Sequence, residues 1–246
     1  MPENFKDYFS HDSQNYLKYR PQYPIQLFDY LNSLTQHHNL AYDFGCGNGQ
    51  ASITLAKYYQ EVIGIDGSSN QIANAISHPQ VKYKIALAHN SGLKSKSSDL
   101  ITVVNALHWF QIDLFFTEVK RLLKDNGVIA IWCYNLFTVN AKIDHIFEVF
   151  FNLLEPYWPT ERELVNQKYQ TITFPFNELV TPKFVIAENW TLDQIIGYIK
   201  TWSAYNNYVQ KHNTCPLSNI ITKLNDAWGN KSNIVNFAIN LRVGRN

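Results

Sequence analysis

The chain has 246 residues, 46% of them hydrophobic and 15% aromatic, and a formal net charge of +1. Near-neutrality excludes the strong basic field of a nucleic-acid binder, and no apolar run is long enough to cross a bilayer, so neither nucleic acid nor membrane is an expected partner. Cys46, Cys133 and Cys215 are odd in number and widely spread, without a Cys-x-x-Cys pair, so neither a disulfide framework nor a zinc site is expected and no metal is assigned.

The amino terminus, Met1-Pro-Glu-Asn-Phe-Lys-Asp7, lacks the basic-then-apolar pattern of a secretion signal, and together with the unpaired cysteines this points to the cytoplasm. Residues 1–35 are polar and aromatic. Pro21 and Pro24 push Arg20 and Tyr23 toward extended geometry, and Ile25-Gln-Leu-Phe-Asp-Tyr-Leu31 then places Leu27, Phe28 and Leu31 on one helical face. Next comes Ala41-Tyr-Asp-Phe-Gly-Cys-Gly-Asn-Gly-Gln50, the end of a short apolar run, followed by a helical stretch over 51–59. The order is strand, glycine-rich turn, helix. Gly45, Gly47 and Gly49 permit positive φ and bare-backbone contact, and the helix start offers unpaired N–H groups and a positive dipole end. That combination forms a nucleotide-type pocket at the carboxyl end of a parallel strand.

The dinucleotide fingerprint requires its third glycine at residue 50, where Gln50 stands. Here that glycine arrives one position early, and an acid, Asp43, precedes the first. Asp-x-Gly-x-Gly-x-Gly resembles motif I of the class I S-adenosylmethionine-dependent methyltransferases. The resemblance implies a zwitterionic methionine end at this turn, with Asp43, Gly45, Cys46 and Gly47 as cofactor contacts and S-adenosylhomocysteine as product. Glu61-Val-Ile-Gly-Ile-Asp66 reads as the second strand and ends on an acid, the place of the ribose hook in nucleoside-binding α/β folds. Asp66, with Gly67 beside it, is the expected sugar site. Ser68 and Ser69 are the cap candidates for the helix that follows.

Val81 to Ala88 is the expected third strand. Ala88-His-Asn-Ser-Gly-Leu93 stands where the family usually has Ala-Glu-x-x-Pro-Leu at the adenine, so Ala88 and His89 are cofactor candidates through their backbone, with His89 in place of the acid. Ser98 to Val104 is nearly continuous in apolar character, as a central parallel strand should be. It ends in Asn105-Ala-Leu-His-Trp-Phe110, which resembles the family's "alHWf" segment. By that resemblance Asn105 and Ala106 line the cofactor, while His108 and Trp109 lie toward the acceptor. A helix from Asp113 to Leu123, with Gly127 suited to the turn after it, leads to a fifth strand over Val128–Tyr134. Glu118, Arg121, Leu123, Lys124 and Gly127 match the family's "E-x-x-R-x-L-K-x-x-G" pattern.

Residues 140–182 mix a helix, Ile143 to Leu154, with four prolines and read as an insertion covering the substrate side. Lys183–Trp190 is the expected sixth strand, a capping signal opens a helix at Thr191, and residues 233–242 close the sheet. The expected fold is a Rossmann-like doubly wound α/β sheet of seven strands, mostly parallel with an antiparallel last strand, plus a helical substrate cap. It forms one domain over 1–246, with a cofactor-covering segment (1–35), a cofactor-binding core (36–135) and a cap with the carboxyl-terminal strands (136–246). Two further strings, Tyr16-Leu-Lys-Tyr-Arg-Pro-Gln-Tyr-Pro24 and Thr201-Trp-Ser-Ala-Tyr205, resemble the methyltransferase type 11, trans-aconitate methyltransferase-like branch. This implies Tyr19 and Arg20 at the methionine carboxylate, Tyr16 and Trp202 on the acceptor side, and a small-molecule carboxylic acid as acceptor. A carboxylate needs a cationic or hydrogen-bonding clamp and no base. For a hydroxyl or amine, His108 is the first candidate general base. An alternative keeps fold and cofactor but binds a protein partner without turnover. The chain is expected to be a monomer or weak homodimer.

Overall fold

The computed structural model describes residues 19–246. Its centre is a sheet of eight strands: β1 (Leu40–Phe44), β2 (Glu61–Asp66), β3 (Val81–Ile85), β4 (Ser98–Val104), β5 (Leu123–Tyr134), β6 (Asn177–Leu179), β7 (Phe184–Trp190) and β8 (Asn233–Arg245). The order is β3-β2-β1-β4-β5-β8-β6, with β7 also on β8. β1 to β5 are parallel, and β8 runs antiparallel to β5, β6 and β7 alike. The expected topology therefore holds, with one difference in count. β6 and β7 pair with opposite ends of β8 and form one edge position, broken between Val180 and Lys183. Pro182 stands in that break, where its missing N–H takes nothing from the ladder.

The helices follow from apolar spacing and caps. α1 (Ile25–Leu34) buries Leu27, Phe28 and Leu31. α2 (Gln50–Leu55) and α3 (Ser69–Ala73) follow β1 and β2 directly, and the Ser68 side chain caps α3 by accepting from the Gln71 N–H. α4 (Ile112–Leu122) runs straight into β5. The left-handed residue at that junction is Asn126 (φ +62°), not Gly127. Gly127 is needed for closeness instead, since a Cβ there would lie 2.9 Å from the Lys124 carbonyl. The cap consists of α5 (Ala141–Leu154), the four-residue α6 (Glu163–Asn166), α7 (Leu192–Lys200), α8 (Ser203–His212) and α9 (Ile221–Trp228). The capping box expected at Thr191 is present, with Gln194 as its partner. Among the described residues no helix is long and apolar enough to cross a membrane.

The unbroken apolar run of β5 resolves into two faces. Val128, Ala130, Trp132 and Tyr134 join the core under α1, α2 and the cap, while Ile129, Ile131 and Cys133 join the core under α4. Period-two alternation thus feeds two layers at once, the signature of a strand covered on both sides. Strand order reverses about β1, whose neighbours are β2 and β4. In an open α/β sheet the crevice at such a point, outside the carboxyl ends of the strands, takes the ligand.

Candidate active site

The turn after β1 is built on left-handed backbone: Gly45, Gly47 and Gly49 have φ of +65°, +55° and +90°. Gly45 and Cys46 both donate their N–H to the Ile65 carbonyl, at 2.8 and 3.1 Å, which draws the turn across β2. A Cβ at Gly45 would fall 2.4 Å from the Cβ of Ala106, and one at Gly49 would fall 2.0 Å from the Tyr83 hydroxyl. At Gly47 the nearest atom would be Gln71 Oε1, at 3.7 Å. The turn is thus clamped from below at its ends and open at its middle. Gly49→Ala has no relaxed solution, because Tyr83 is itself held by its bond to the Ile76 carbonyl. It should cost about 2 kcal/mol or more, read from the midpoint of urea denaturation. An unchanged midpoint would refute this packing.

Two aspartates fix the turn in different ways. Asp66 Oδ2 accepts from the Gly47 N–H and Oδ1 from the Ser68 N–H, both at 2.8 Å, so one carboxylate ties the turns after β1 and β2 together. Asp43 is buried and accepts from Ser52 Oγ at 2.6 Å and Thr102 Oγ1 at 2.9 Å. Burial, outweighing those two bonds, pushes its carboxyl up to about 6. The folded chain then keeps the Asp43 proton up to about pH 6, whereas the unfolded chain releases it near 4. The charge destabilises the fold above pH 6, by on the order of 3 kcal/mol, and this penalty fades as pH falls toward 4. Asp43→Asn should therefore gain thermal stability relative to the parent as pH is raised from 4 to 7. A constant difference across that range would show that Asp43 ionises as freely folded as unfolded.

Three cavities lie in a row above these strand ends. The first, about 50 Å³, is lined by Tyr23, Asp43, Gly45–Asn48 and Asn105. Asn48 is buried, and its Nδ2 has no hydrogen-bond partner among the described residues. The second, about 280 Å³, lies beyond β3 and is lined by Gly67, Ala86–His89, Trp109, Phe110 and Glu161. Its loop is held because Glu118 receives both the N–H and the hydroxyl of Ser91 and is in turn clamped by Arg121. The third, about 80 Å³, lies under the cap between Arg20, Arg162 and the aromatic walls Trp109, Tyr134, Trp158 and Trp202. Asn105 is common to the first and third, and His108 and Trp109 to the second and third.

Asn105 adopts a left-handed φ of +50° at the end of β4. Its N–H donates to the Trp132 carbonyl and its Oδ1 accepts from the Tyr134 N–H, so it is locked onto β5. His108 Nδ1 lies 2.8 Å from the Tyr169 hydroxyl. Burial, with the Arg162 charge as a second cause, drives the imidazole down to about 3. The ring is therefore held neutral at physiological pH, the form a general base starts from, with its affinity for a proton reduced by burial. Tyr169 is held in turn by Arg242, which donates to the carbonyls of Tyr169 and Ile172 and forks onto Glu178.

The other expected residues divide between the cavities. Gly67, Ala88 and His89 line the second, and Cys46 and Gly47 the first. Trp202 and Trp109 wall the third. Ala106 is buried against Gly45. Tyr16 lies outside the described residues. Arg20 and Tyr19 lie on the cap side. Arg20 lines the third cavity, with Nη1 3.3 Å from the Tyr134 hydroxyl, and Tyr19 packs on Gly197 of α7. Pro21–Pro24 is extended chain, so Tyr23 is the residue delivered to the glycine turn while Arg20 stays behind with the cap. Sequence reasoning missed Tyr23, Asn48, Trp158, Glu161, Arg162 and Tyr198. Asn48 between two glycines was the one local signal; the others reach the site only by folding of the cap. Arg162 stacks 3.6 Å over Trp158 and donates to Asn135. It has no carboxylate within ion-pair distance among the described residues, and burial with Arg20 nearby lowers it to about 10.

The family profile for the methyltransferase domain matches residues 42–131. The chain is similar to a provisionally named methyltransferase of Dictyostelium discoideum, 34% identical over 92% of this chain and 88% of that protein. It is also similar to a protein of Saccharomyces cerevisiae with a provisional S-adenosylmethionine-dependent methyltransferase name, 25% identical over 83% of each. Among solved structures it is similar to one from Anaeromyxobacter dehalogenans, provisionally a type II methyltransferase, at 37% identity and TM-score 0.87, covering 92% of this chain and 97% of that one.

Proposed function

The chain belongs to the class I S-adenosylmethionine-dependent methyltransferases, and from that premise we propose that its acceptor is a small carboxylate held between Arg20 and Arg162. One observation carries the choice. The cavity under the cap has two guanidinium groups and aromatic walls, and no acidic side chain among its lining residues. Arg162, kept in such surroundings without a carboxylate partner among the described residues, is unfavourable until an anion arrives, and a guanidinium offers the fork geometry that a carboxylate accepts.

The residues present fit the cofactor the family uses. The orphaned Asn48 Nδ2 is a buried donor at the cavity where a methionine carboxylate would lie. The Gly47 backbone is bare on its open side, and Asp66, which holds both turns, stands at the strand end where sugar hydroxyls would lie. When bound, the cofactor supplies a methyl group already activated on a positively charged sulfur. The chain has then to align an oxygen with it and keep water away, and orientation alone supplies roughly 7–11 kcal/mol in favourable cases. Asn105, shared by the cofactor and acceptor cavities and fixed at both backbone and side chain, marks the boundary where the two would meet. A carboxylate is nucleophilic as it stands, which suits a site whose histidine is held neutral and only weakly basic by burial. The methyltransferase names of the relatives favour catalysis over the silent-binder alternative.

The test is incubation with labelled methyl donor and a panel of small carboxylic acids, amines and phenols. Transfer to carboxylates giving base-labile esters supports the reading. Transfer confined to amines or phenols would overturn it.

A further inference from the structure

Arg121 and Arg242 each fork onto a glutamate, Glu118 and Glu178 respectively, with both carboxylate oxygens engaged. Arg162 is held differently, for its Nη2 donates to Asn135 Oδ1, a neutral acceptor. Asn135 follows β5 directly, and its Nδ2 donates to Asn166 Oδ1 at 3.1 Å. Asn166 Nδ2 donates in turn to Glu163 Oε2 at 3.2 Å, and the other Glu163 oxygen accepts from Gln167 Nε2. A relay thus runs from an exposed carboxylate on α6 through two amides to the guanidinium. Its polarity is fixed at both ends, since a carboxylate only accepts and a guanidinium only donates. Either amide, turned over, would set donor against donor at one contact and acceptor against acceptor at the other.

The relay does what a direct ion pair could not. A glutamate forked onto Arg162 would fix it but would also take up the two-pronged edge and the charge that a ligand carboxylate needs. Asn135 takes one N–H and adds no charge, and Glu155 acts on Arg162 only through space. Stacking on Trp158 sets the plane of the guanidinium, and the bond to Asn135 sets its rotation in that plane. Asn135 and Arg162 both line the cavity under the cap. We propose that Asn135 is a positioning residue for the acceptor, one that aims Arg162 into this cavity without neutralising it and takes its own polarity from Glu163 through Asn166. The proposal rests on the carboxylate reading above.

The experiment uses the full chain, with kinetics on the carboxylate of the panel that turns over fastest, calorimetry with S-adenosylhomocysteine, and thermal unfolding. Asn135→Asp should lower kcat/KM about tenfold or more through KM, with affinity for S-adenosylhomocysteine within about twofold of the parent, because the new carboxylate pairs with Arg162 and competes with the acceptor. Arg162→Met should not lower the unfolding midpoint of the parent, yet should lower it in the Asn135→Asp background, where it breaks an ion pair. Glu163→Lys tests the relay from its exposed end, where folding is not at stake. A lysine only donates, so it turns both amides over and sets the Asn135 NH₂ against Arg162, and the acceptor KM should rise about threefold or more. Added positive charge acting through space would lower that KM instead. Parent-like KM in Asn135→Asp, no reversal in the effect of Arg162→Met, or Glu163→Lys binding the carboxylate as tightly as the parent or tighter would each overturn the proposal. A parent that methylates amines or phenols alone brings down the carboxylate reading and the proposal with it, and that failure is recognised without any variant.

Discussion

Replacement of Asp66 by alanine is expected to weaken binding of S-adenosylhomocysteine about 100-fold or more. The carboxylate holds the N–H groups of Gly47 and Ser68, one on each oxygen. Each such charge-assisted bond is worth roughly 1.5–3 kcal/mol, and losing two disorders the turn after β1 and the turn after β2 together. The variant also loses the acceptor proposed for the sugar hydroxyls. Since a tenfold change in affinity is about 1.4 kcal/mol, one lost ligand bond plus the loosened turn accounts for the expected size. Asp66→Asn should do little better, because its amide NH₂ must face one of two backbone donors. Binding is measured by calorimetry well below the unfolding midpoint of each variant. A lowered midpoint with parent-like affinity at low temperature would show that Asp66 braces the turns and touches no ligand.

The position of Asp66 was legible from sequence because it is set locally. An acid ending a strand beside a glycine-rich turn needs only the parallel pairing of β1 and β2 to reach the Gly47 N–H, and the apolar runs specify that pairing. The same holds for the helix caps at Ser68 and Thr191, where cap and capped N–H lie within three residues. Legibility fails where a side chain is delivered by long-range packing. Nothing near Arg20 says that it will stop at Tyr134, more than a hundred residues away. Glu161 and Arg162 stand in a proline-flanked stretch without periodicity. Their placement depends on the segment around Tyr169 and Ile172, which is anchored to the carboxyl-terminal strand by Arg242. His108 shows a different limit. Its position was readable from the motif, but its basicity was set by burial and by the Arg162 charge, neither of which is a property of the local string.

Arg162→Met is expected to reduce methylation of the carboxylate acceptor about 100-fold or more in kcat/KM, with affinity for S-adenosylhomocysteine within about twofold of the parent; the size is that of two charge-assisted hydrogen bonds lost together. Methionine keeps much of the volume and contact over Trp158, so the comparison isolates charge and fork from packing. The same substitution should leave thermal stability unchanged or raise it. The folded chain lowers Arg162 to about 10, so it binds that proton less tightly than the unfolded chain does, and the charge disfavours folding at every pH below that value. An arginine that weakens its own fold and lacks a carboxylate partner among the described residues is explained if an anion completes it. Arg162→Lys should not restore turnover, because an ammonium cannot reproduce the two-pronged contact. If the methionine variant instead methylates carboxylates as the parent does, the guanidinium is a strut for Trp158 and the clamp must be sought elsewhere in the cavity.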